Sequence, residues 1–229
     1  MKDRIIVALD VDELSRARRL IDTLTEARYF KVGLQAFLQF GEELISYLKS
    51  RGKGLFLDLK FKDIPNTVAG AIRSALKYGP DMLTIHLSGG GGMIRAARDA
   101  AREKEGLRIL GVTVLTSFSR TELEETGISL TTEQAVLRLC RLGMECGMDS
   151  FVCSPREIVL LRKEFGRQIT LVTPGIRPAW AARGDQKRVF PPARAIQAGA
   201  DFLVIGRPII AHPDPPRAFD DILGEIRAG

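Results

Sequence analysis

Eight short apolar runs, each followed by a longer amphipathic stretch, constrain this chain more than any other feature. The runs are Arg4–Asp10, Tyr29–Leu34, Gly54–Lys60, Met82–Leu87, Ile109–Thr116, Ser150–Ser154, Ile169–Ile176 and Phe202–Gly206. Rich in Val, Ile, Leu and Phe, they read as buried strands. Helices are expected between them at Glu13–Glu26, Glu42–Ser50, Thr67–Lys77, Met93–Glu103, Thr132–Cys146, Pro155–Phe165, Ala193–Ala198 and Arg217–Arg227. Within one of these, Val136, Leu137, Leu139, Cys140 and Met144 trace an apolar stripe at helical spacing. No Pro/Ser-rich linker interrupts the 229 residues, so the pattern predicts one α/β domain over residues 1–229, a closed (β/α)8 barrel. An open doubly wound sheet is the competing architecture. The polar residues separate the two. Asp10, Lys60, Thr116, Thr173 and Arg207 each fall at or just past the C-terminal end of a predicted strand. A barrel gathers all such ends on one face, whereas a doubly wound sheet would concentrate them at a single switch point.

Composition narrows the function classes. Hydrophobic content of 45% with 27% charged residues is that of a soluble globular protein. The net charge of +6 is mild and scattered without a Lys/Arg run, so nucleic acid is not an expected partner. A small anionic substrate suits the charge, as does a plain solvated basic surface. The N-terminus offers only a five-residue apolar run before acidic residues, too short for a signal-peptide core or a membrane span. Cys140, Cys146 and Cys153 form no CxxC pair, and His86 and His212 lie far apart, so neither a zinc site nor a disulfide framework is expected. These features predict a reduced, cytoplasmic protein that binds no metal and no membrane.

The run FLDLKFKDIP, Phe56–Pro65, is apolar enough for a buried strand yet carries Asp58, Lys60, Lys62 and Asp63. Alternation puts Phe56, Asp58 and Lys60 on one face and Leu55, Leu57, Leu59 and Phe61 on the other. The apolar face is expected against the helical shell and the charged one toward the barrel axis. Asp58 and Lys60 read structurally as an internal ion pair, Asp63 as a cap for the helix near Pro65, and Lys62 as a solvated charge. Asp10 and Lys31, at two other strands, favour a functional reading. Carboxylates at 58 and 63 flanked by ammonium groups at 31 and 60 alternate in sign, which keeps each ionised in a dry pocket. Such an array can fix an ammonium beside a reacting carbon and repel another carboxylate.

The segment Asp58-Leu-Lys60-Phe-Lys-Asp63-Ile64 resembles the DxKxxDI signature of the orotidine 5′-phosphate decarboxylase family. ALD with Asp10, KVG with Lys31, LTS at Leu115–Ser117, TPGIR at Thr173–Arg177, GDQKR at Gly184–Arg188 and IGRPI at Ile205–Ile209 follow the same family's order. The resemblance implies cofactor-free conversion of orotidine 5′-phosphate to UMP and CO2, the last step of de novo UMP synthesis, by a homodimeric barrel. It implies Lys60 as proton donor to C6 of the pyrimidine, Asp58 beside the substrate carboxylate, and Asp10 with Lys31 at the ribose hydroxyls. Asp63, Ile64 and Thr67 would reach into the neighbouring subunit's site. Leu59, Phe61, Lys62, Pro65 and Asn66 are carried over as further substrate contacts, as is Thr116. Val114 stands where relatives often have a polar residue, which leaves the pyrimidine-edge contacts near Thr116 and Ser117 open.

Gln186, Gly206 and Arg207 match the family's phosphate-binding positions and Arg177 matches a residue of the same loop; loops after strands seven and eight often hold phosphate in barrels. The segment RPAWAARGDQKR, which carries Trp180, is expected to be a mobile lid. SGGGGM at Ser88–Met93 lacks the spacing of a phosphate-binding loop and reads as a flexible turn; His86 reads as a hydrogen-bonded core residue and the cysteines as small core hydrophobes. Two rival functions remain. Magnesium-dependent sugar-phosphate decarboxylases and aldolases share the barrel and DxKxxD but carry an acidic residue where Lys31 stands, and a protonated lysine cannot ligate magnesium. A non-catalytic phosphate-binding barrel would need neither Lys60 nor Asp58.

Overall fold

The computed structural model describes residues 1–181 and 190–228. Its strands are β1 (Ile5–Ala8), β2 (Tyr29–Gly33), β3 (Gly54–Phe61), β4 (Met82–His86), β5 (Arg108–Val112), β6 (Ser150–Val152), β7 (Thr170–Thr173) and β8 (Phe202–Ile205). All neighbours pair in parallel and β1 pairs with β8, so the eight strands close in sequence order into a barrel. Closure leaves no sheet edge, and strands covered on both faces read as near-continuous apolar runs. The four residues of β1 are all buried.

Two apolar layers follow from strand alternation. Ile6, Ala8, Phe56, Met82, Leu110, Val172 and Val204 fill the barrel interior. Leu55, Leu57, Leu83, Ile85, Leu171 and Leu203 point outward into a larger core shared with the helices. The expected split of the charged strand is therefore observed: Phe56 faces inward, and Leu59 and Phe61 pack on the outer core. The N-terminal end is closed by structural contacts. Tyr29 meets Phe202 edge to face at 6.2 Å, and Arg162 ties Asp201 to the carbonyls of Gly166, Ile169 and Gly199. Functional groups are left to the opposite end.

The helices are α1 (Leu14–Thr23), α2 (Leu34–Ser50), α3 (Pro65–Leu76), α4 (Gly90–Ala101), α5 (Arg120–Glu125), α6 (Thr132–Glu145), α7 (Ile158–Phe165), α8 (Pro192–Ala198), α9 (Arg207–Ile210) and α10 (Pro215–Ala228). The apolar stripe of α6 is realised, with Val136 and Cys140 buried and Leu137, Leu139 and Met144 packed beside them.

Several expectations need correction. The fifth strand stops at Val112, not Thr116, because Thr113 turns its hydroxyl onto the Val152 carbonyl at 3.0 Å and the chain leaves the sheet. Ser88–Met93 is not a flexible turn: a 3-10 turn spans Leu87–Gly89 and α4 begins at Gly90. The helix expected from Glu42 starts at Leu34 and is broken at Gly41, whose φ of 46° lies outside helical space and hides its first half from periodicity. Helix α5 was not foreseen, although Ser119 and Glu122 form the reciprocal capping box that marks such a start.

Candidate active site

Strand register assembles the site. β1 and β2 set Ala8 beside Lys31, and β2 and β3 set Gly33 beside Asp58. Asp10 follows β1 by two residues, so its side chain stands on the inward row above Ile6 and Ala8. Lys31 Nζ lies 3.2 Å from Asp10 Oδ1 and 3.5 Å from Asp58 Oδ2, while Lys60 Nζ lies 2.8 Å from Asp58 Oδ1. Four side chains, from just past β1, from β2 and from β3, thus form a row of alternating charge: Asp10, Lys31, Asp58, Lys60.

Burial is graded along that row. Asp58 and Lys31 keep only 9% and 12% of their side-chain surface, Lys60 keeps 31% and Asp10 51%. Burial by itself would push the Asp58 carboxyl up. The positive charges of Lys31 and Lys60, with hydrogen bonds from Lys60 and Thr84, outweigh it and hold Asp58 below the ordinary carboxylate value. A buried carboxylate that stays charged beside a half-exposed ammonium is what charge-driven chemistry at a barrel mouth requires.

Lys60 is also where the backbone departs from a regular strand. Its φ is +50°, the one positive value at a non-glycine residue among those described. The β3–β4 register slips at the same point: Leu57 pairs with Leu83, and the next pair is Phe61 with Ile85. Bulges and left-handed non-glycine residues cost about 1–3 kcal/mol and persist where surroundings hold them, commonly at functional sites.

Glycine makes room for the second ammonium. A Cβ at Gly33 would stand 2.8 Å from Lys31 Nζ and 3.5 Å from Asp10 Oδ1. Gly33→Ala is expected to displace Lys31 and lower kcat/KM at least about tenfold with little change in thermal stability, since the clash is met by a side-chain tip. Steady-state kinetics and a melting curve check this. Gly206 closes the opposite side, with an added Cβ 3.4 Å from Ala8 Cβ.

A model for the orotidine 5′-phosphate decarboxylase / HUMPS family matches residues 3–222. The chain belongs to that family. A relative from Moorella thermoacetica named orotidine 5′-phosphate decarboxylase is 48% identical, over 98% of this chain and 92% of its own length. One of the same name from Nostoc is 46% identical, over 98% and 97%. The crystal structure of orotidine 5′-phosphate decarboxylase from Lactobacillus acidophilus superposes with a TM-score of 0.86 at 33% identity, covering 98% of this chain and 99% of that one.

The remaining family positions fall into groups. Lys62, Asp63, Ile64, Pro65, Asn66 and Thr67 are all exposed, on the connection from β3 into α3. Asp63 does not cap α3: the residue preceding the helix is Ile64, and Asp63 Oδ1 accepts from the Ile64 N–H at 2.6 Å. Thr116 is exposed in the loop beyond β5. Arg207 is exposed at the start of α9, whereas Arg177 is almost fully buried after β7, with its N–H on the Phe190 carbonyl at 3.1 Å. Gln186 and most of the expected lid lie outside the described residues; Trp180 is described and meets His212 edge to face at 5.5 Å.

His86 differs from expectation. It is half-buried at the end of β4, and its ring forms no hydrogen bond among the described residues. Burial, then the charges of Lys62 and Lys60, lower its pKa. The cysteines are buried free thiols, with Cys140 pushed by burial up to about 12 and Cys153 raised for the same reason, so neither supplies a thiolate. Sequence reasoning missed Gly33 and Thr84. The signal for Thr84 was a polar residue inside the apolar run MLTIH, on the same alternating face as Met82.

Proposed function

We propose that the chain removes CO2 from orotidine 5′-phosphate to give UMP, completing de novo UMP synthesis without a cofactor. The observation that carries this reading is the Lys31–Asp58–Lys60 row at the barrel mouth, with one ammonium bridging two carboxylates. Breaking the bond between C6 and the carboxylate leaves an electron pair in the ring plane, out of reach of the π system. Local charge must stabilise it. The Lys60 ammonium does so, then transfers a proton to C6, and solvent reprotonates the amine. Asp58, kept ionised by its lysine neighbours, stands next to the departing carboxylate. Asp10 and Lys31 hold the ribose hydroxyls. Thr116 contributes to the pyrimidine end, Gly206, Arg207 and Gln186 serve the phosphate, and Arg177 belongs to the same loop. Binding energy from that remote end helps order the charged row.

The proposed unit is a cytoplasmic homodimer. Lys62, Asp63, Ile64, Pro65, Asn66 and Thr67 are all exposed, Ile64 at 67%. Leu34 and Leu38, one turn apart where α2 leaves β2 at the same end of the barrel, are 54% and 80% exposed. Apolar side chains grouped at one end fit a partner surface. Buried free thiols suit a reducing compartment.

The magnesium-dependent alternative meets a charge problem: Lys31 places its ammonium between the two carboxylates a cation would need. Absorbance at the pyrimidine band is expected to show loss of orotidine 5′-phosphate with no metal added, at an unchanged rate after exhaustive EDTA treatment. No turnover by well-folded protein would defeat the proposal, and turnover abolished by EDTA and restored by magnesium would favour the alternative.

A further inference from the structure

We infer that Thr84 is a positioning residue for the charged row, its single hydroxyl locking the Lys60 backbone to the Asp58 carboxylate. The inference rests on the decarboxylase reading above and adds a residue to it. Thr84 lies mid-way along β4, is 1% exposed, and shares the inward face with Met82 and His86. Its Oγ1 accepts the Lys60 N–H at 2.9 Å and donates to Asp58 Oδ1 at 3.0 Å.

Geometry gives these two bonds their meaning. From Leu57 to Phe61 the chain advances four residues while β4, from Leu83 to Ile85, advances two, and Thr84 is the residue opposite the excess. The slip takes the Lys60 N–H out of the regular ladder, and the threonine hydroxyl receives it in place of a backbone carbonyl. The left-handed turn at Lys60, which a β-carbon disfavours, is thereby fixed. A hydroxyl has one proton, and here it goes to Asp58. The carboxylate oxygen that takes it is the one that pairs with Lys60 Nζ at 2.8 Å. Thr84 therefore sets where the Lys60 side chain departs from the backbone and where the carboxylate it leans on stands. Serine can make both bonds; valine, with the same shape, can make neither.

Thr84→Val should lower kcat on orotidine 5′-phosphate roughly tenfold to a hundredfold while the dissociation constant for UMP changes less than about threefold. Thr84→Ser should stay within about threefold of the wild type in kcat. A residue serving only the fold would lower the melting temperature and the active fraction without separating kcat from UMP affinity. Wild-type kcat in Thr84→Val overturns the inference, as does a loss matched by weaker UMP binding. If Thr84→Val does not accumulate as folded protein, Thr84→Ser decides alone. A tenfold loss of kcat in that variant, at wild-type melting temperature, counts against the hydroxyl account, and near-wild-type kcat supports it. Wild-type protein without turnover defeats the parent reading, whereas an active wild type with an undiminished valine variant defeats only the role of Thr84.

Discussion

Lys60→Ala is expected to lower turnover of orotidine 5′-phosphate by at least about 10⁴-fold, combining loss of the proton donor with loss of the charge facing the carbanion. UMP affinity should stay within about tenfold, because UMP carries neither the reacting carboxylate nor a carbanion and the phosphate and ribose contacts remain. The row tolerates the deletion structurally. Asp58 retains Lys31 at 3.5 Å and the Thr84 hydroxyl at 3.0 Å, so its charge is not left unpaired. Lys60→Arg, although cationic, should be nearly as inactive, since a guanidinium does not release its proton at neutral pH. The backbone adds an internal control. With φ at +50°, position 60 suits glycine, so Lys60→Gly should be more stable than Lys60→Ala by about 1 kcal/mol while being equally inactive. Single-turnover kinetics, UMP titration and urea unfolding of the three variants together check this. Undiminished turnover in Lys60→Ala would remove the mechanism.

The parts of this site that strand alternation controls were legible before any coordinates. Asp58 and Lys60 face inward, Lys31 reaches Asp58 from the neighbouring strand and Asp10 reaches Lys31 from the end of β1, because period-two alternation and a closed parallel barrel leave few other places for charges at strand ends. What depends on register was not legible. The slip between Leu57 and Phe61, the left-handed backbone at Lys60 and the hydroxyl that supports both arise from pairing across strands 24 residues or more apart. No local pattern in FLDLKFKDIP encodes them. Gly33 is similar: its need for a missing Cβ appears only once Lys31 Nζ is known to occupy that space. The end of β5 was overrun for the opposite reason. Ile109–Thr116 is continuously β-favouring, but Thr113 spends its hydroxyl on a neighbouring carbonyl and the sheet ends there.

Mixing Lys60→Ala protein with Asp63→Ala protein is expected to restore activity that neither has alone. Asp63 forms no ion pair among the described residues; its carboxylate is exposed and folds onto the N–H of the next residue, whereas Lys60 pairs within its own chain. If residue 63 completes the neighbour's row, a mixed dimer carries one pocket with both defects and one with neither. Random exchange at equal concentrations makes half of the dimers mixed, so recovery should approach about a quarter of wild-type specific activity when both parents are inactive. The recovered activity should rise with the time course of subunit exchange and fall when either parent is in large excess. A cis role for Asp63 gives a different result: each chain in the mixed dimer keeps its own defect, and mixing recovers nothing. Exchange is followed independently by native mass spectrometry of mass-tagged chains, so failure to recover activity with mixed dimers present argues against action across the interface. Chains that remain monomeric at assay concentration argue against the dimer itself.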